Sequence, residues 1–183
     1  GEQSVYFQAA LSNLIRMLNV RGRFDEAIAL ARSQEERALA QYGPRSSYYM
    51  LAIRQVARCY RAASEWDRSE REYERAAGLY SRLDWMQVVE SMETRTEWAE
   101  MLLEAGRADR VEGVLSPVLG KLRVGHELRS IAVVQNANAL VAADRLGDAI
   151  ELVERELADA EREIGTRPQE LVDWLDAHRM PGA

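Results

Sequence analysis

The stretch RGRFDEA, Arg21 to Ala27, reads as a polar turn running into a helix, and its pattern returns as ASEWDRS from Ala63, AGRADRV from Ala105 and ADRLGDA from Ala143. Each copy has a small or turn-prone residue at Gly22, Ser64, Gly106 or Asp144. An apolar residue usually follows two places later, and a small or β-branched one three beyond that. The copies are 42, 42 and 38 residues apart, a period that marks stacked helical repeats.

Before each turn, apolar residues recur at spacings of three and four, which puts each set on one helix face. The sets are Leu11, Leu14, Ile15 and Leu18; Ile53, Val56, Ala57 and Tyr60; Trp98, Ala99 and Leu102; and Ile131, Val134, Ala137 and Leu140. After each turn a second helix opens with Asp25, Asp67, Asp109 or Asp148 near its first turn. A carboxylate there meets the positive end of the helix dipole and can accept from free backbone N–H groups. Each copy therefore predicts a reversal between two antiparallel helices. Gly22 and Gly106 suit a left-handed helix end, Phe24 and Trp66 act as apolar plugs, and Ala27, Ser69 and Ala149 are small where helices approach. One such pair cannot bury its apolar face alone, whereas stacked pairs build a continuous core.

Composition agrees. Of 183 residues, 47% are apolar and 30% charged, with only four prolines and eleven glycines, so long regular elements are expected and an all-α chain is predicted. The net charge of −6 argues against a nucleic-acid surface, although the arginine-rich second repeat keeps some basic character. Lys121 is the single lysine among 24 basic residues, a bias that suggests a GC-rich bacterial source. The lone Cys59 lies between apolar neighbours and reads as a buried, inert thiol. With no signal peptide and no apolar run near ~20 residues, no membrane span is expected, and the expected compartment is the cytoplasm. The chain opens on glycine, which suggests a fragment excised from a larger protein.

The turn glycine, the aromatic two residues on and the alanine three further resemble the tetratricopeptide repeat, most clearly in NLIRMLNVRGRFDEAIAL and VARCYRAASEWDRSEREYERA. The 42-residue spacing and the Gly43–Pro44 junction resemble the long variant found in kinesin light chains and many bacterial regulators. The resemblance covers roughly residues 5 to 164; the third and fourth copies are degenerate. It implies a right-handed α-solenoid of four antiparallel helix pairs, with repeats at about 5–43, 46–83, 87–124 and 127–165 in a single domain, 1–183. The helix from Pro168, at 168–179, carries Leu171, Trp174 and Leu175 on one side and is expected to cap the last pair. Pro117 falls inside the second helix of the third repeat, so that helix is expected to kink, or to restart with Ser116 as cap.

No phosphate loop, nucleophile elbow or paired-cysteine spacing is present, and HELR at His126 lacks the second histidine of a zinc helix. The reading is therefore non-enzymatic, with no catalytic residue, metal or cofactor. His126 and His178 are expected to face solvent at element ends, and Glu70, Glu72 and Glu74 to form a solvated face. Most aromatics of the second repeat (Tyr48, Tyr49, Tyr60, Trp66, Tyr73 and Tyr80) are expected in interhelical packing; Trp85 sits beside a loop.

In tetratricopeptide arrays the first helix of each pair lines the concave face. Carried onto this chain, the residues around each first-helix core position put Asn13, Arg16, Arg54, Gln55, Arg58, Arg61, Glu97, Glu100, Gln135 and Asn138 in a partner-binding groove. Ser12, Thr96, Val134 and Glu104 lie alongside. The groove is basic over the first two repeats and acidic over the third, and its amides can bond an extended peptide's backbone. The competing reading pairs Arg54, Arg58 and Arg61 with Glu93, Glu97, Glu100 and Glu104. Glu93 and Glu97 stand where the chaperone-tail version of the fold needs bases, so that specialisation is rejected.

These features favour a module that binds a peptide or a partner's helix. The alternative is a ligand- or peptide-sensing domain of a bacterial multidomain regulator. A third reading is a homo-oligomer formed through the first helix at Val5, Tyr6 and Phe7.

Overall fold

The computed structural model describes residues 2–79 and 85–179, with side chains from 9–79 and 89–179. Tyr80 and the side chains of Val5, Tyr6, Phe7 and Trp85 lie outside the described residues. Among the described residues the fold is all-α. In order the helices are α1 (Glu2–Val20), α2 (Phe24–Tyr42), α3 (Ser47–Ala62), α4 (Trp66–Leu79), α5 (Trp85–Glu104), α6 (Val111–Lys121), α7 (Glu127–Ala142), α8 (Leu146–Ile164) and α9 (Gln169–His178). A 3-10 turn, Ala108–Arg110, leads into α6. The chain divides into two compact units, residues 1–94 and 95–183.

All four repeat turns have one geometry. Gly22, Ser64, Gly106 and Asp144 have φ of 72°, 57°, 71° and 58°, the left-handed region. Each donates its N–H three residues back, to Asn19, Arg61, Leu103 and Val141. The next residue donates five back: Arg23 to Leu18, Glu65 to Tyr60, Arg107 to Leu102 and Arg145 to Leu140, at 2.8–2.9 Å. This pair of bonds satisfies helix-end carbonyls that otherwise have no partner. Of the acids expected in the first turns, Asp148 is engaged by a side chain. Arg23 and Arg145 at the N-caps make no capping bond, and Glu26 and Asp148 accept from those arginines at 2.6 Å instead.

The small residues after the turn are fully buried: Ala27, Ser69 and Ala149 at 0% exposure, with Val111 at the same place in the third repeat. The Ser69 hydroxyl donates to the Ala57 carbonyl at 2.9 Å, so the one polar member of the set is satisfied. Phe24 and Trp66 plug their bends only half-buried. Ile15, Leu18, Ala27, Ala31, Val56, Cys59 and Tyr60 form a core in the first unit. In the second unit α9 docks on α7 and α8, where Leu171, Trp174 and Leu175 join Val133, Ala137 and Val153.

Four expectations are corrected. Helix α6 runs through Pro117 without restarting. The Ser116 hydroxyl donates to the Gly113 carbonyl at 3.4 Å, taking up the acceptor that proline, lacking an N–H, leaves open. Glu70 and Glu72 are buried, not solvated, and Glu72 meets Arg32 of α2. Arg32 bonds both Glu35 and Glu72, and Arg75 pairs with the same two carboxylates. Burial pushes the Arg32 guanidinium down, but hydrogen bonds to Glu72, Glu35 and Tyr60 outweigh it and hold it above its ordinary value. Both Arg32 and Arg68 also lie 5.7 Å from the Tyr60 ring centroid. His126 and His178 are half-buried: His126 caps α7, its Nδ1 accepting from the Leu128 N–H, and His178 stacks on Trp174 at 4.1 Å. Finally, Tyr48 is 55% exposed instead of packed between helices.

Candidate functional site

The turn from α2 into α3 shapes a cleft of the first unit. Gly43 ends α2 at φ 79°, and Ser46 caps α3 by accepting from the Tyr49 N–H at 3.2 Å. The Ser46 hydroxyl also donates back to the Gly43 carbonyl at 3.0 Å. This tight reversal brings the end of one helix beside the start of the next, so Tyr42 and Tyr48 stack with ring centroids 4.6 Å apart. Together with Leu51 they form an exposed apolar lip.

Behind that lip is a cleft of about 380 Å3 walled by three helices. Ala9 and Ser12 come from α1, Gln34, Ala38 and Tyr42 from α2, and Tyr48, Leu51, Ala52, Arg54, Gln55 and Arg58 from α3. One wall is mainly apolar and aromatic, with the amide of Gln34; the other carries two guanidiniums and the amide of Gln55. The volume suits a few side chains of a bound segment. Arg54 is 8% exposed and its Nη1 lies 3.0 Å from Glu93 Oε2, a carboxylate that is itself 43% exposed. The pairing of Arg54 with Glu93 that the sequence offered as the alternative to ligand binding is therefore present. Arg58 and Arg61 carry interactions of their own.

Of the ten residues picked from the sequence, the cleft brings together Arg54, Gln55 and Arg58. Asn13 and Arg16 are exposed on α1, and Arg61 is half-buried one turn beyond; none of the three lines the cleft. Glu97, Glu100, Gln135 and Asn138 belong to the second compact unit. Gln135 is 5% exposed, its amide donating to the Thr96 carbonyl at 3.0 Å and to Glu100 Oε1 at 3.4 Å. Asn138 accepts from the Trp174 indole at 2.7 Å. These two amides join helices to one another.

Sequence reasoning missed Gln34, Ala38 and Tyr42 because it sampled only first helices, and Leu51 because it kept to residues beside the first-helix core positions. The usable signal was the pair of tyrosines flanking the Gly43–Pro44 junction. The buried thiol of Cys59 behaves as expected: burial raises its pKa, against smaller lowering effects from Asn19, Gln55 and Arg58. Among the described residues no group of His, Cys, Asp or Glu is arranged to hold a metal ion, and no helix is long and apolar enough to cross a membrane.

No family model matches the sequence, and no curated protein matches it. The fold is nevertheless similar to solved structures of kinesin light chain, nearly identical TPR-like repeats from Podosopora anserina. The Q17M form aligns at a TM-score of 0.69 and 18% identity, covering 93% of this chain and 92% of that one. The form without that substitution aligns at 0.68 and 17%, covering 93% and 94%. The chain thus has the architecture of a TPR-like α-solenoid.

Proposed function

We propose that this chain is a non-enzymatic interaction module that holds a peptide or a partner's helix in the cleft between α1, α2 and α3. The observation that carries the reading is the two-sided lining of that cleft. Tyr42, Tyr48 and Leu51 offer an apolar seat, while Arg54, Gln55 and Arg58 offer charge and amide donors in the same cleft. A segment with an apolar side chain beside a carboxylate matches both walls. Its carboxylate competes with Glu93, itself 43% exposed, for Arg54. The TPR-like fold suggests a protein-interaction scaffold and so supports binding over catalysis. The arginine bias supports a bacterial source, with the module acting in the cytoplasm.

The test is a peptide array combining apolar and acidic residues, followed by fluorescence anisotropy on the strongest binders. Ala52→Trp fills the cleft and Arg58→Glu reverses its charge. Each variant, shown by circular dichroism to keep its helicity, is expected to weaken binding at least about tenfold, or ~1.4 kcal/mol. Equal affinity for wild type and Ala52→Trp overturns the assignment of the cleft.

A further inference from the structure

The repeats differ in how they fill the seam between a second helix and the first helix that follows it. Five, nine, twelve and sixteen places after the turn residue, the first and third repeats bury the same stripe. The first repeat has Ala27, Ala31, Gln34 and Ala38 there, and the third has Val111, Leu115, Val118 and Leu122. Three of the four are thus alanine where the third repeat has valine or leucine. Ala27 and Ala31 lie in the core of the first unit, whereas Gln34 and Ala38 line the cleft. At those two places the third repeat buries Val118 fully and Leu122 to 3% exposure, although α6 itself ends at Lys121.

The facing helices show the same contrast. Tyr48, Leu51 and Ala52 of α3 stand sixteen, thirteen and twelve places before their turn residue, as Leu128, Ile131 and Ala132 of α7 do before theirs. Tyr48 and Leu51 are exposed and Ala52 is half-buried, whereas Leu128 and Ile131 are half-buried and Ala132 is buried. Leu122 is tied to α7, whose Arg129 donates to its carbonyl at 2.9 Å. In the third repeat, then, aliphatic side chains of the chain itself occupy the seam; in the first the same place is a cleft.

We propose, resting on the role proposed for this cleft, that the partner segment enters it with one branched aliphatic side chain of leucine size, seated over Ala38 and Ala52, and that Ala38 sets that size. Ala9, Ala38 and Ala52 line the seat with methyl groups, so shape selects there, and one methylene in such a pocket is worth roughly 10–200-fold. Charge selects further along α3. Arg58 lies six residues beyond Ala52, about 9 Å at ~1.5 Å per residue. An extended segment covers that distance in about two or three residues at ~3.4 Å each. The partner's carboxylate therefore stands about two or three places from its aliphatic anchor.

The experiment is selection of a displayed library of short random peptides on the full chain, repeated with Ala38→Leu and with Ala9→Leu. The second variant adds the same bulk from an exposed position and leaves the buried stripe intact; circular dichroism checks the fold of both. Wild type is expected to enrich Leu or Ile at one position, with Asp or Glu two or three places away. Ala38→Leu is expected to move that position to Ala or Val. It should weaken the best leucine peptide at least about tenfold, and the alanine version of that peptide less than about twofold. An aromatic or polar anchor in the wild-type selection overturns the proposal and leaves the interaction role standing. So does an unchanged leucine preference in Ala38→Leu or, if that variant loses its helicity, in Ala9→Leu. A wild type that enriches no peptide overturns the interaction role and the proposal with it.

Discussion

Ser64 and Asp144 occupy backbone conformations that glycine enters freely and other residues enter at a cost of about 1–2 kcal/mol. Because their turns carry the same hydrogen bonds as those at Gly22 and Gly106, that cost is isolated from other changes. Ser64→Gly is expected to stabilise the chain by about 0.5–1 kcal/mol, after allowing for the extra freedom glycine gains when unfolded. Asp144→Gly should gain less, since aspartate tolerates this region better. Gly106→Ala should lose about 1 kcal/mol or more. Urea midpoints of the three variants decide the ranking. The turn positions were legible in the sequence because everything that defines them falls within a few residues. Glu72 was not. Its periodicity gives a helix face but does not say that Arg32, on another helix, waits opposite.

Helix α6 shows how one element is held together from outside. Its proline removes an internal bond, and its last turn relies on Arg129 of α7. Nη1 of that side chain donates to the Leu119 carbonyl at 2.7 Å and to the Leu122 carbonyl at 2.9 Å. The other edge of the guanidinium grips Glu156 of α8 at 2.6 and 2.9 Å, and that bond raises the Arg129 pKa against the lowering effect of burial. One planar group thus ties three helices, which a point charge cannot do. Arg129→Lys is expected to cost about 2 kcal/mol despite keeping the charge, read from the denaturation midpoint. A loss below about 0.5 kcal/mol would show that charge, not the fork, holds the junction. None of this was visible beforehand: Arg129 is one arginine among many until α6, α7 and α8 are folded around it. The apolar wall of the cleft had only the two tyrosines flanking Gly43–Pro44 to announce it, and Tyr42 and Tyr48 become neighbours once the chain reverses at Gly43.

At the scale of the chain, two compact units with their own cores imply two responses to damage. Ile15→Ala in the first and Leu171→Ala in the second each remove a fully buried side chain, at a cost of about 2–5 kcal/mol. Hydrogen exchange is expected to accelerate mainly within residues 9–79 for the former and 95–178 for the latter. Equal acceleration across both would show that the cores open as one. The all-α architecture and the α9 contact were legible at this scale because apolar spacing survives in every repeat. The commitments of Gln135 and Asn138 were not, because a first-helix position looks alike whether a ligand or a neighbouring helix meets it. The four turns carry one further consequence. The two bonds that close each are donated and accepted by the main chain alone, so substitutions rewrite the letters without erasing the bend. Gly, Ser, Gly and Asp already spell it within one molecule. A lineage built this way can drift beyond what residue-by-residue comparison detects while its shape is inherited intact.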